Sequence, residues 1–206
     1  PEQQRDAWAL AVESAPEGKV TAKIVEEAVA KVANKQVHVS QNSGNNEWYT
    51  PHKYIVAAKE VMETIDLDPA SSEVANSIVG AKKFYTEKDD GLTKKWSGNT
   101  WMNPPYSLDL IGKFSDKIVK HFSDGSIPQA IVLVNNATET AWFKTMADVA
   151  SAVVFPSSRI KFLDNNLNPS GAPLQGQAIL YLGNNTDRFL SSFLKFGWGG
   201  VISHDD

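Results

Sequence analysis

The alternation of hydrophobic and polar positions divides the chain in two. Near the start, Trp8, Ala11, Val12 and Ala15 recur at helical spacing until Pro16 and Gly18 break the run. Ile24, Val25, Ala28, Val29 and Val32 then repeat the pattern, with Thr21 as a candidate N-cap. Residues 1–39 therefore read as a helical hairpin. The polar stretch "SQNSGNNE" (40–47) reads as a linker, and residues 40–206 as a second domain.

In that second domain the spacing predicts a helix after Thr50, with Thr50 as N-cap and Pro51 at the first helical position. Tyr54, Ile55, Ala58, Val61 and Met62 form its apolar stripe. Short apolar runs predict strands at 64–68, 99–103, 130–134, 151–155 and 177–182. Helical patterns fall between them, at 70–79, 108–121, 138–149 and 187–196. Alternation of this kind predicts an α/β fold with a largely parallel sheet. Ligands of such sheets sit at the carboxyl ends of the strands. That rule singles out Asp68 and Asn103, each at the end of a predicted strand.

Composition narrows the possibilities. The 206 residues include no cysteine, which excludes disulfides and thiolate metal sites and fits a cytoplasmic setting. His38, His52, His121 and His204 are scattered without metal-ligand spacing. No apolar run approaches the roughly 18 residues of a membrane span. The chain opens on Pro1 rather than Met, which fits a piece of a longer protein. A net charge of −4 is unlike a general nucleic-acid binder, so any DNA contact needs a local basic face.

The candidate chemistry lies in "NPPY" (103–106). Pro104 and Pro105 fix their own φ, push the preceding residues extended and have no N–H to donate. The loop therefore offers acceptors, the Asn103 amide oxygen and the Pro104 carbonyl, beside the flat ring of Tyr106. Two acceptors and a stacking surface suit a planar group carrying an exocyclic amine. Accepting both N–H hydrogens makes that nitrogen a better nucleophile.

With this tetrapeptide the chain resembles the amino-methyltransferases that use S-adenosylmethionine. "NEWYTP" (46–51), "DLDPASSEVAN" (66–76), "FYTEKDDGLTKKW" (84–96), "WMNPPYS" (101–107) and "SSRIKF" (157–162) follow the order of the phage-type DNA N6-adenine methyltransferases, the phage Dam family. The resemblance implies a Rossmann-like methyltransferase sheet over residues 40–206, S-adenosylmethionine as cofactor, DNA as substrate and a bacterial or phage-infected cell. It implies that Asn103, Pro104, Pro105 and Tyr106 hold and stack a flipped adenine. Trp48, Tyr49, Thr50 and Pro51 match the family's N-terminal cofactor segment. Asp68, Pro69 and Ala70 match its first cofactor motif, although serines stand where related enzymes carry glycines. Asp66 shares a strand face with Asp68. One of Asp89 and Asp90 is expected at the cofactor's adenine, with Leu92 packed on the ring. Arg159 and Lys161 are candidate phosphate contacts, and Lys94, Lys95, Lys113, Lys117 and Lys120 further sources of positive charge.

The N-terminal hairpin is similar to the end of a ParB-like helix-turn-helix region; the alternative is a packing appendage braced against the second domain. Too few residues separate "LDPA" from "NPPY" to hold a target-recognition domain, which predicts low sequence specificity. Competing readings are methylation of a protein glutamine, an RNA guanine N2 or a cytosine N4, or a non-catalytic DNA-binding partition module. The chain alone does not fix the oligomeric state.

Overall fold

A computed structural model describes Arg5, Trp8, Ala9, Val12, residues 20–25, 28–29, 49–164, 166–169 and 175–204. The chain forms two compact units, Pro1–Asn45 and Asn46–Asp206. In the first, residues 22–25 are helical, and the Ile24 N–H donates to the Thr21 hydroxyl at 3.5 Å, as its predicted cap requires. Ala28 is buried, but Val29, expected on the same face, is 51% exposed.

The second unit is built on a seven-stranded sheet. Its strands are β1 (Leu67–Asp68), β2 (Lys83–Phe84), β3 (Thr100–Met102), β4 (Ala130–Asn135), β5 (Ala152–Pro156), β6 (Gln177–Leu182) and β7 (Gly197–Val201), in the spatial order β2-β1-β3-β4-β6-β5-β7. The first four are mutually parallel, whereas β6 runs antiparallel between β4 and β5, and β7 antiparallel to β5. The expected largely parallel sheet is thus half antiparallel. The reason is the connection from β5 to β6: its described residues include no crossover helix, and the chain returns beside itself in the opposite sense.

The helices are α1 (His52–Met62), α2 (Glu73–Val79), α3 (Leu108–Ser123), α4 (Ala141–Ala147) and α5 (Thr186–Phe193). Apolar residues of α1 and α5 pack with Trp101, Ile131, Leu133 and Ile179 in one core. Those of α3 and α4 pack with Met102, Val132, Val134 and Leu180 in another. These sheet residues alternate along β3, β4 and β6, so the two cores lie on opposite faces. Buried on both faces, β4 reads as the near-continuous apolar run "AIVLVN".

Two expectations at helix starts change. Pro51 occupies the N-cap position of α1, with ψ 138, and not the first helical position. Thr50 does not cap α1, because its hydroxyl accepts from the Asn103 side chain. The second helix begins three residues late, capped by the Ser72 hydroxyl, which accepts from the Ala75 N–H at 3.1 Å. Residues 69–71 are thereby left as an open turn beyond β1. The chain goes from β1 outward to β2 and returns to β3 on β1's other side. A sheet edge between two such neighbours is where ligands of open α/β folds bind.

Candidate active site

A cleft of ≈ 470 Å³ opens at that edge, between the carboxyl ends of β1 and β3. It gathers most of the residues singled out from the sequence. Asn103, Pro104, Pro105 and Tyr106 form one wall, Asp68, Pro69 and Ala70 another, and Asp90 and Leu92 a third. Tyr49 and Thr50 line it as well. Pro51, Asp89, Arg159 and Lys161 are not among the lining residues. Trp48 lies outside the described residues.

The two candidate acids of the first motif separate cleanly. Asp66 faces away from the cleft: its carboxylate pairs with Lys82 at 2.7 Å and accepts from the Asn99 N–H at 2.9 Å and the Thr64 hydroxyl at 3.1 Å. Burial works to raise its pKa, but these bonds outweigh it and hold the group below the ordinary range. Asp68 lines the cleft and is 3% exposed. Its carboxylate accepts from the Ala70 N–H at 3.3 Å. Burial pushes its pKa up to about 7, against the opposing pull of the Ser71 hydroxyl and the Ala70 N–H. A carboxylate has about four acceptor sites, so Asp68 retains capacity for further donors.

The second acidic pair separates too. Both the N–H and the hydroxyl of Thr86 donate to the Asp89 carboxylate, at 2.9 and 2.7 Å, in a capping box that starts a 3₁₀ turn. Asp89 is thus a structural cap, and Asp90 is the acid in the cleft. Asp90 has a left-handed backbone (φ 52) and accepts the Leu92 N–H at 3.1 Å. Next to it, a Cβ on Gly91 would lie 2.1 Å from the Pro69 carbonyl oxygen, so only glycine lets the two loops meet. The Trp96 indole N–H donates to the Gly91 carbonyl at 2.8 Å, and the Lys117 ammonium to the Leu92 carbonyl at 2.5 Å. Lys117 also sits 5.3 Å from the Trp96 ring centroid.

At the NPPY wall, Tyr106 donates its hydroxyl to Asn103 Oδ1 at 2.9 Å, while Asn103 Nδ2 donates to the Thr50 hydroxyl at 3.4 Å. The amide is therefore oriented from both ends. Burial raises the Tyr106 pKa, which keeps the hydroxyl a donor. Tyr49 is anchored by a two-bond bridge to Leu163, at 3.1 and 2.8 Å. That bridge brings "SSRIKF" alongside the N-terminal segment. Ile160 and Phe162 are buried, whereas Arg159 and Lys161 alternate with them and are exposed.

The sequence reading overlooked Trp101 in the cleft, along with Leu110 and Phe114 of α3, and gave Lys113, which also lines it, only as a source of positive charge. The three-to-four-residue spacing of Leu110 and Phe114 was available as a signal, because it puts both on one face of the helix. Among the described residues, no group of His, Cys, Asp or Glu is arranged to hold a metal ion, and no helix is long and apolar enough to cross a membrane.

A family model for DNA N-6-adenine-methyltransferase (Dam) matches residues 37–187. The chain belongs to that family. No curated protein matches it. Membership of the Dam family implies DNA adenine-N6 methyltransferase activity, with DNA as the substrate. All the described residues that line the cleft fall inside the matched span.

Proposed function

We propose that this cleft binds S-adenosylmethionine and directs its methyl group to N6 of an adenine extruded from DNA. The observation that carries the reading is the meeting of the NPPY loop, the buried Asp68 and the Asp90–Leu92 turn in a single cavity. The cavity's size falls in the range of small-molecule sites. Its donor and acceptor set fits the cofactor. Asp68, a buried carboxylate with unused acceptor capacity, suits an ammonium or ribose hydroxyls. Asp90 suits an adenine amine, and Leu92 its ring. The strand order, with a switch between β1 and β3, supports a Rossmann-like methyltransferase sheet.

Bound S-adenosylmethionine supplies a methyl on a sulfonium; the N6 lone pair forms the new C–N bond, the C–S pair leaves with a neutral thioether, and N6 loses a proton. The chain's own residues position the amine. Asn103 Oδ1 and the Pro104 carbonyl accept its two hydrogens. An amide oxygen accepts two hydrogen bonds, so the bond from Tyr106 is compatible with one from the substrate. Thr50 and Tyr106 fix which end of the Asn103 amide faces the amine. The half-buried Tyr106 ring offers a stacking face to the flipped base. The transfer is direct, so the rate comes chiefly from alignment.

Arg159 and Lys161 follow the carboxyl end of β5, which runs parallel to β4, and so emerge at the same sheet edge as the NPPY loop. This supports their assignment to DNA phosphates. Low sequence specificity is expected, since few residues separate the cofactor and catalytic motifs. The N-terminal hairpin, as the tail of a ParB-like region, would add DNA affinity. The test is incubation with unmethylated duplex and labelled S-adenosylmethionine, followed by nucleoside analysis. Label in N6-methyladenine at many sequence contexts is expected; cofactor binding without label in adenine would reject the reading.

A further inference from the structure

The cofactor half of the sheet edge, over β2, β1 and β3, is accounted for. The other half, over β4, β6 and β5, carries polar residues with no role assigned so far. On β4, Ile131 and Leu133 belong to the same core as Trp101 and Ile179, and Val132 and Val134 to the opposite one. By alternation, Asn135 at the carboxyl end of β4 falls on the Trp101–Leu133 face. Asn103 occupies that same face, since it bonds Thr50 at the start of α1 and lines the cleft with Trp101. The strands are direct neighbours, with Met102 in register with Val132. The Tyr106 hydroxyl, which bonds Asn103, also comes within 3.5 Å of the Leu133 carbonyl, two residues before Asn135.

The next strand supplies a contrast. Gln177 of β6 is directly opposite Asn135 and is 3% exposed. Its amide is engaged at both ends: Oε1 accepts the Ile160 N–H at 3.0 Å, and Nε2 donates to the Gln175 carbonyl at 2.7 Å. Gln177 is therefore a structural brace for the segment that carries Arg159 and Lys161. Asn135 is half-buried, yet its side-chain amide makes no hydrogen bond among the described residues. Buried amides normally find partners, in protein or ordered water. Asn135 does not line the cleft itself, but its amide lacks a partner one strand away from the amine-binding loop and on the same face.

We infer that Asn135 reads the target base, its Nδ2–H donating to a purine ring nitrogen that flanks the methylated amine, N1 or N7. This rests on the methyltransferase reading above and adds a specificity determinant to it. The chemistry follows from what Asn103 and Pro104 leave unread. Two carbonyl acceptors bind any exocyclic amine, that of cytosine or guanine included. A donor aimed at an acceptor nitrogen beside the amine adds a second criterion, and side-chain amides are the groups that characteristically pair with adenine edges.

The experiment compares wild type with Asn135→Ala and Asn135→Ser on duplexes carrying adenine, 1-deazaadenine or 7-deazaadenine at a fixed target. Thermal melting and S-adenosylmethionine titration are measured in parallel. Expected is a loss of roughly tenfold to hundredfold in kcat/KM for adenine in both variants, the fold-change of one good amide–base pair. Cofactor affinity and melting temperature should stay unchanged. One deaza substitution should slow wild type by a similar factor and cost the variants nothing more. Variants as active as wild type on adenine would overturn the assignment. So would deaza penalties that persist in the variants, since Asn135 would then act through the fold alone. A wild-type protein that binds cofactor but leaves adenine unmethylated would instead overturn the proposed function, and this assignment with it.

Discussion

Replacing Asp68 with asparagine exchanges one carboxyl oxygen for an amide nitrogen and removes the charge while keeping the side chain's shape. The structure makes this substitution a measurement of linkage. Burial pushes the Asp68 pKa up to about 7 from an ordinary 3.8, so near neutrality the empty cleft holds a mixture of acid and carboxylate. An ammonium or hydroxyl donor from the cofactor favours the carboxylate, so binding must expel the proton wherever it is present. Well below the raised pKa, each further pH unit weakens binding by up to tenfold. At about pH 6 affinity should be roughly tenfold below its plateau, and the deficit should fade as pH rises through about 7. The same shift acts on folding with its own sign. A raised carboxyl pKa means the native state binds the extra proton, so its stabilising contribution is complete below about pH 4. It is lost as pH climbs through about 7, with an upper magnitude of about 4 kcal/mol. The amide that replaces the carboxyl does not titrate, so both slopes should vanish in Asp68→Asn. Calorimetric titration between about pH 5.5 and 7.5, below the cofactor's own α-amino titration, reads the first slope. Denaturant melts over the same range read the second. An equal pH slope in variant and wild type would refute the reasoning, because the titrating group would then lie elsewhere.

Three further outcomes are expected. Asn103→Ala should lower kcat by about a hundredfold or more, as removal of a transition-state contact does, while S-adenosylmethionine affinity measured by titration stays within about twofold. Gly91→Ala forces a methyl group to 2.1 Å from the Pro69 carbonyl; a loss of about 1–3 kcal/mol in stability, together with weaker cofactor binding, should appear in melts and titrations. Lys117→Met removes the strut to the Leu92 carbonyl and should raise KM for the cofactor severalfold with little change in kcat, with partial recovery in Lys117→Arg. Equal effects of Lys117→Met on kcat and KM would place Lys117 outside the cofactor turn.

The sequence disclosed the parts of the site whose chemistry is local. Asn103 and Asp68 were legible because each ends a strand, and strand ends converge on one edge of an α/β sheet. Choosing between Asp66 and Asp68 was beyond local reading. What occupies Asp66 is Lys82 and the Asn99 backbone, brought to it only when β2 and β3 flank β1. Thr50 misled for the same reason: a threonine before proline looks like a helix cap, but its hydroxyl is taken by Asn103, far along the chain. Asp89 was readable. Thr86 and Asp89 have the spacing of a capping box, a local signal that should have set Asp89 aside in favour of Asp90. Strand β7 left almost no trace, because "GWGGV" has neither the β-branched content nor the alternation of a strand. Two of its glycines are required by neighbours: a Cβ would fall 2.0 Å from the Phe155 carbonyl oxygen at Gly197 and 2.0 Å from the Val153 carbonyl oxygen at Gly199.

The bridge between Tyr49 and Leu163 bears on how far the enzyme can be cut down. The described residues facing the cleft run only from Tyr49 to Phe114, so the first of them is tied to a point well past the last. A fragment stopping soon after Phe114 would keep every described residue that lines the cleft, yet lose Asn135, Arg159, Lys161 and the Leu163 backbone that pairs with Tyr49. The stretch of chain that an intact cleft draws on therefore reaches at least to Leu163, well past the residues that line it.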